Sequence, residues 1–156
     1  MSVDYIYNYL DDDDLILISD EIRNREKLTS AEIVLSIKRN ISILNRLLHP
    51  RSGIDFYAKK EFYRLGADRT KDKTGILIFI LFEERKFYVL ADNAINQVFS
   101  QETWTSVTET IKTNFSQGMF AEGLVKSVSI IGEILENNFP IKPDDKNEIS
   151  NKIIIT

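Results

Sequence analysis

GILIFILFEERKFYVLAD, residues 75–92, decides the fold. Gly75 to Phe82 is apolar almost without a break, the pattern of a strand buried on both faces and therefore central in its sheet. Glu83, Glu84 and Arg85 turn the chain, and Phe87 to Ala91 returns as an antiparallel partner. Asp92 follows as the N-cap of a short helix over 93–98. Upstream, RTKDKT (69–74) brings a run of charge to the mouth of this buried strand.

The flanking sequence supplies the other elements. In TSAEIVLSIKR (29–39), Ile33, Leu35 and Ile37 alternate with polar or small neighbours, which predicts a strand. HPRSG (49–53) is loop. Ile54, Ala58, Phe62 and Leu65 follow helical spacing, with Gly66 at the C-cap. Asp11 to Asp14 precede Leu15 to Ile18 and Ile22, as a cap and first turn complementing the dipole of a helix over 12–27. The same aspartates fail as an EF-hand: Leu15 and Leu17 fall where ligands alternate, and no glycine marks the turn. Trp104, Val107, Ile111 and Phe115 mark one amphipathic helix, and Leu124, Val128, Ile131 and Leu135 another that Pro140 and Pro143 end. The terminal IIIT reads as an edge strand, or as a docking strand for another chain. The order predicts an α/β domain: a three-layer α/β/α sandwich around a small mixed sheet with a central β-hairpin. The domain is expected over 1–143, with 144–156 an acidic C-terminal segment packed on it but detachable.

Of the 156 residues, 43% are hydrophobic and 28% charged, enough for one domain with a core. The net charge of −4 argues against nucleic acid or an anionic membrane as partner. The lack of cysteine excludes disulfides, a thiolate nucleophile and cysteine zinc sites. The N-terminus lacks a basic region followed by a long apolar one, and no apolar run is long enough to span a bilayer, so the expected address is the cytoplasm. There is no GxGxxG, P-loop or GxSxG motif. The lone His49, before Pro50, has no nucleophile signal near it and reads as a surface residue.

If the helix over 54–65 links strands 33–37 and 75–82, the crossover makes them parallel. Glu32 opens the first strand, Asp72 precedes the second, and Asp92 ends the antiparallel third. Carboxylates from three segments are thus expected at one rim. Like charges held close need a compensating lysine, a raised pKa or a bound cation. Lys71, Lys73 and Arg69 are candidates, and so is a divalent ion, for which oxygen donors favour Ca2+ or Mg2+ over zinc. The plainer alternative makes Asp92 a helix cap, Glu32 a solvated strand end and Asp72 a surface loop residue.

Four stretches then resemble a known family. EKLTSAEIVLSI carries Glu26, Thr29, Ser30, Glu32 and Ile33 of its opening motif. FYRLGADRTKDKTGILIFI, FYVLADNAINQVFSQETW and FPIKPDDKNEISNKI are similar to its later motifs, in order. The chain is identified by this resemblance as a TPM-domain protein over roughly residues 12–153. Departures are Ala31, Ala91 and Ala94 for glycines and Lys73-Thr74 for Arg-Asn. Asp72 has no fixed acidic counterpart, whereas Asp92 falls on a motif position. The lost glycines bear on how closely a phosphate could approach the backbone there. The resemblance implies an α/β/α sandwich, calcium binding through an acidic cluster in several relatives, and weak acid phosphatase activity in a few. Carried over residue by residue, it implies a metal site of Glu32, Asp92, Asp144, Asp145 and Glu148, with Asn147 as a further oxygen donor. The expected function is a Ca2+-binding (or Mg2+-binding) structural or interaction module, with a protein partner. The alternative is a weak metal-dependent acid phosphatase that uses either an aspartate nucleophile, with Asp92 the candidate, or a metal-bound water.

Overall fold

The computed structural model describes residues 2–149 and 152–156. The chain runs α1 (Asp12–Glu26), β1 (Glu32–Lys38), α2 (Ile43–Leu48), α3 (Ile54–Arg64), β2 (Gly75–Leu81), β3 (Lys86–Ala91), α4 (Asn93–Val98), α5 (Gln101–Ser116), α6 (Phe120–Asn138) and β4 (Ile153–Ile155), with a short 3-10 turn at Asp4–Asn8 and another at Ala67–Arg69.

The sheet order is β3-β2-β1-β4. β1 is parallel to β2, with Glu32 opposite Gly75, and parallel to β4 on its other side. β2 and β3 form the antiparallel hairpin, Ile76 opposite Ala91. The alternation within the strands explains the layers. Ile33, Leu35 and Ile37 of β1 and Ile76, Ile78 and Ile80 of β2 face a core closed by α1, α5 and α6. Val34, Leu77, Phe79 and Leu81 face the opposite way, onto Tyr57, Ala58 and Phe62 of α3. With helices on both faces, every residue of β2 is buried, and each such aliphatic side chain contributes roughly 2 kcal/mol of burial. This is the three-layer α/β/α sandwich around a mixed sheet.

Local signals place the ends of the elements. Asp11 accepts from the Asp14 amide and Asp14 returns the bond, a reciprocal capping box at the start of α1. Gly66 follows α3 in the left-handed region, φ 73°, where a side chain is disfavoured. Beyond α6, the chain crosses the ends where β1 and β2 begin and then enters the sheet as β4. This strap is fixed by the Thr29–Pro140 bridge and by an Ile141 amide bond to the Leu28 carbonyl. The segment expected to be detachable therefore supplies the fourth strand, because β1 offers an unpaired edge to Ile153–Ile155. α2 had no counterpart in the sequence reading. Its apolar residues bury nothing: Ile43, Leu44, Leu47 and Leu48 are 63–80% exposed.

Candidate functional site

The rim expected from the strand order exists. Glu32 stands beside Gly75, and the Asp92 amide donates to the Gly75 carbonyl at 2.9 Å. Three segments thus meet across one glycine. Gly75 is required there, since a β-carbon would lie 2.1 Å from the Ala67 carbonyl oxygen.

The compensation comes from other residues than Arg69, Lys71 and Lys73. Glu32, 4% exposed, is paired with Lys152 from the strap, and its other oxygen accepts the Glu148 amide at 2.8 Å. Lys152, 8% exposed, also reaches Glu26 Oε1 at 2.9 Å. That same Glu26 oxygen accepts the Ile33 amide. Burial pushes the Glu26 carboxyl above its usual range, and Lys152 only partly offsets this. Asp72 is paired with Lys142, Nζ to Oδ2 at 3.0 Å, also from the strap. Lys71 contributes its backbone amide, to Glu148 Oε2 at 2.9 Å. Lys73 Nζ donates to the Asp68 carbonyl.

The acidic residues of the strap serve its own path. Asp145 Oδ2 accepts the Lys142 amide, and the Asp145 amide donates to the Lys142 carbonyl, closing a turn. Asp144 and Glu148 are exposed. Of the five residues implied as ligands, Glu32 and Glu148 meet through a backbone amide, Asp144 and Asp145 belong to the turn, and Asp92 stands apart. Among the described residues, no three His, Asp or Glu side chains lie together as a metal group. A cleft of about 180 Å3 does open between Glu26, Ser30 and Glu32 on one side and Asp145 and Asn147 on the other. Its deep carboxylates already hold the Lys152 ammonium.

Asp92 differs from the rest. Its Oδ1 accepts the Asn93 amide at 2.8 Å, capping α4. Its Oδ2 is buried, without a hydrogen-bond partner among the described residues. Asp68 Oδ1, on the other flank of loop 69–74, is in the same condition. In the loop after Asp68, Lys73 adopts a left-handed conformation, φ 59°, which costs on the order of 1 kcal/mol for a residue with a side chain. It is held by the Lys73 amide donating to the Thr70 carbonyl and the Ala94 amide donating to the Lys73 carbonyl. Asp68 carried no signal in the sequence, since it matched none of the motif positions. Glu26 and Glu32 did fall on motif positions, but their cation, Lys152, lies 120 residues beyond Glu32. His49 packs its ring against Phe56, with centroids 4.7 Å apart.

No helix among the described residues is long and apolar enough to cross a membrane. No curated protein sequence matches the chain. The NMR structure of the BA42 protein from the psychrophilic bacterium Bizionia argentinensis is 32% identical, covers 94% of each chain, and superposes with a TM-score of 0.80. The N-terminal domain of a P. gingivalis protein, also solved by NMR, shares the fold at 14% identity, covering 84% of this chain and 79% of that one, with a TM-score of 0.65. The family model described as the TPM domain matches residues 3–134, which leaves the strap and β4 beyond its end. With that match over most of its length, the chain belongs to the TPM-domain family.

Proposed function

We propose that this TPM domain is a small divalent-cation-binding module, with Ca2+ the favoured ion, and that the ion is held at the amino-end rim by Asp92 with Asp68. One observation carries the reading: each has a carboxylate oxygen out of solvent with no donor to satisfy it among the described residues. An orphaned oxygen of this kind costs about 1–3 kcal/mol, which a hard cation would offset. Ca2+ takes about six to eight oxygens and accepts backbone carbonyls and water among them, so two carboxylates can seed a site. Glu26 and Glu32 are not part of it, because Lys152 occupies them. Asp144, Asp145 and Glu148 hold the strap in this reading. Calorimetry of chelator-stripped protein is expected to give saturable heat with Ca2+ that is lost in Asp92→Asn. Undiminished heat in that variant, or none in the parent, overturns the assignment.

The same oxygen supports a second reading, a weak metal-dependent phosphomonoesterase in which an Asp92 oxygen attacks phosphorus as the ester P–O bond breaks and the alcohol leaves, and water then hydrolyses the acyl phosphate to release phosphate. Hydrolysis of 4-nitrophenyl phosphate that disappears in Asp92→Asn favours it. Hydrolysis that persists in the variant assigns the turnover elsewhere. The interaction role expected of the domain has its support in α2, whose exposed aliphatic face is the kind of surface a protein partner covers.

A further inference from the structure

The opposite end of the sheet carries a second feature, independent of the rim. In open α/β sheets, ligands bind in crevices outside the carboxyl ends of the parallel strands, where successive connections leave on opposite faces. Here β1 leads from its carboxyl end through α2 into α3 on one face, while β4, its parallel neighbour, follows α6 on the other and is entered at its amino end. Outside the carboxyl ends of β1 and β4 lies a cleft of about 460 Å3, within the range of small-molecule sites.

The charge of this cleft opposes that of the whole protein. The chain has 24 acidic and 20 basic residues, yet the side chains lining the cleft include Lys38, Arg39, Lys60 and Arg64 against one acidic side chain, Glu61. Glu61 is 4% exposed and works as a fixed anchor. It accepts Ser36 Oγ at 2.7 Å and both Arg64 Nε and Nη2, at 2.8 and 2.6 Å, with Lys38 Nζ at 3.9 Å. The guanidinium is thereby held in one orientation. Lys38 Nζ also donates to Thr156 Oγ1 at 2.9 Å, across the mouth. Arg39 is turned to Glu83 outside the cleft. Lys60 is exposed, has no carboxylate partner among the described residues, and lies over the Phe56 ring, 5.9 Å from its centroid. The floor is apolar, made by Ile41, Tyr57 and Phe79.

We infer that this cleft binds a small organic anion: an anionic head among Lys38, Lys60 and Arg64, and an apolar body on the Tyr57–Phe79 floor. Glu61 engages the Arg64 fork, so lysine point charges provide the free donors, an arrangement that takes a phosphate or a carboxylate head.

Amide-shift titrations with phenyl phosphate and benzoate test it, with benzyl alcohol as the uncharged control. Saturable shifts over residues 38–42 and 57–64 are expected from at least one anion, and the stronger of the two identifies the head. Lys60→Gln removes an exposed cation that anchors nothing else, and it is expected to weaken binding at least about fivefold, as is raising NaCl from about 50 to 500 mM. Lys38→Gln is expected to weaken it further. Equal binding of benzyl alcohol, shifts confined to 67–75 and 91–97, an unchanged Lys60→Gln variant, or no saturation with either anion overturns the proposal.

Discussion

The two ends of the sheet each bury a carboxylate against basic partners, yet they do so by opposite means. At the amino end, Glu26 and Glu32 share the ammonium of Lys152, delivered by a strap from the far end of the chain. At the carboxyl end, Glu61 is met by Arg64 one helical turn along α3 and by Ser36 and Lys38 on the strand it covers. Their titration diverges accordingly. Burial lifts Glu26 beyond what one shared lysine can offset. At Glu61 burial also acts upward, but the bonds from Arg64 and Ser36 with Lys38 outweigh it, and the carboxyl falls below its usual range. One shared cation offsets only one of the two charges of a buried pair of acids, whereas a full set of donors around one acid satisfies it.

The largest effect is expected from removing the strap's cation. Lys152→Met leaves two buried carboxylates without a counterion and should lower unfolding stability by about 3 kcal/mol in urea. A change under ~1 kcal/mol would mean that Lys152 is not the counterion. Glu61→Gln should cost less, about 2 kcal/mol, because the half-exposed Arg64 can turn to water.

Acid separates the two ends by sign. Glu61 has a lowered pKa, so its contribution is present above the usual value of 4.5 and is lost as pH falls through the lowered one. Glu26 has a raised pKa, so its contribution is present below 4.5 and is lost as pH rises through the raised one. Melting temperatures followed from pH 6 down to pH 3, across the usual carboxylate value of 4.5, should therefore fall less steeply in Glu61→Gln than in the parent and more steeply in Glu26→Gln. Identical slopes in both variants would erase the distinction.

Tyr5 staples the carboxyl end, donating to the Thr156 carbonyl at 2.9 Å and more weakly to the Ile37 carbonyl at 3.3 Å. Tyr5→Phe should cost about 1 kcal/mol. Burial first, and then nearby Glu83, push this hydroxyl from 10.0 up to about 12. Its contribution is therefore present below pH 10 and is lost as the pH climbs from there through about 12, a loss the Tyr5→Phe variant should not show. Smallest of all, Leu44→Lys with Leu47→Lys on α2 should leave stability within about 0.5 kcal/mol, since neither side chain is buried.

The same contrast explains what was legible in the sequence. The rim was readable because strand ends are fixed by periodicity: the apolar run 75–81, the alternation at 33–37 and the hairpin turn place Glu32 and Asp92 beside Gly75. What neutralises the rim was not readable, since Lys152 and Lys142 lie 120 and 70 residues from their partners. The charged loop 69–74 instead uses the Lys71 backbone amide to hold Glu148 and the Lys73 ammonium to hold the Asp68 carbonyl. The carboxyl-end cleft was equally hidden, because its cations come from β1 and α3 and form no stripe along the chain. α2 escaped notice because helical patterning signals a buried face, and ILNRLL buries none.

We propose that the amino-end rim has two acidic compartments, one sealed by Lys152 and one at Asp92 that takes the cation. Titration of the chelator-stripped protein with Ca2+, followed at the backbone amides, distinguishes them. Saturable shifts are expected at 67–75 and 91–97, absent in Asp92→Asn, with the amides of Glu26, Ile33 and Glu148 unmoved. Shifts centred on Glu26, Glu32 and Glu148 instead would show that the ion displaces Lys152 and would contradict it, as would the absence of any shift.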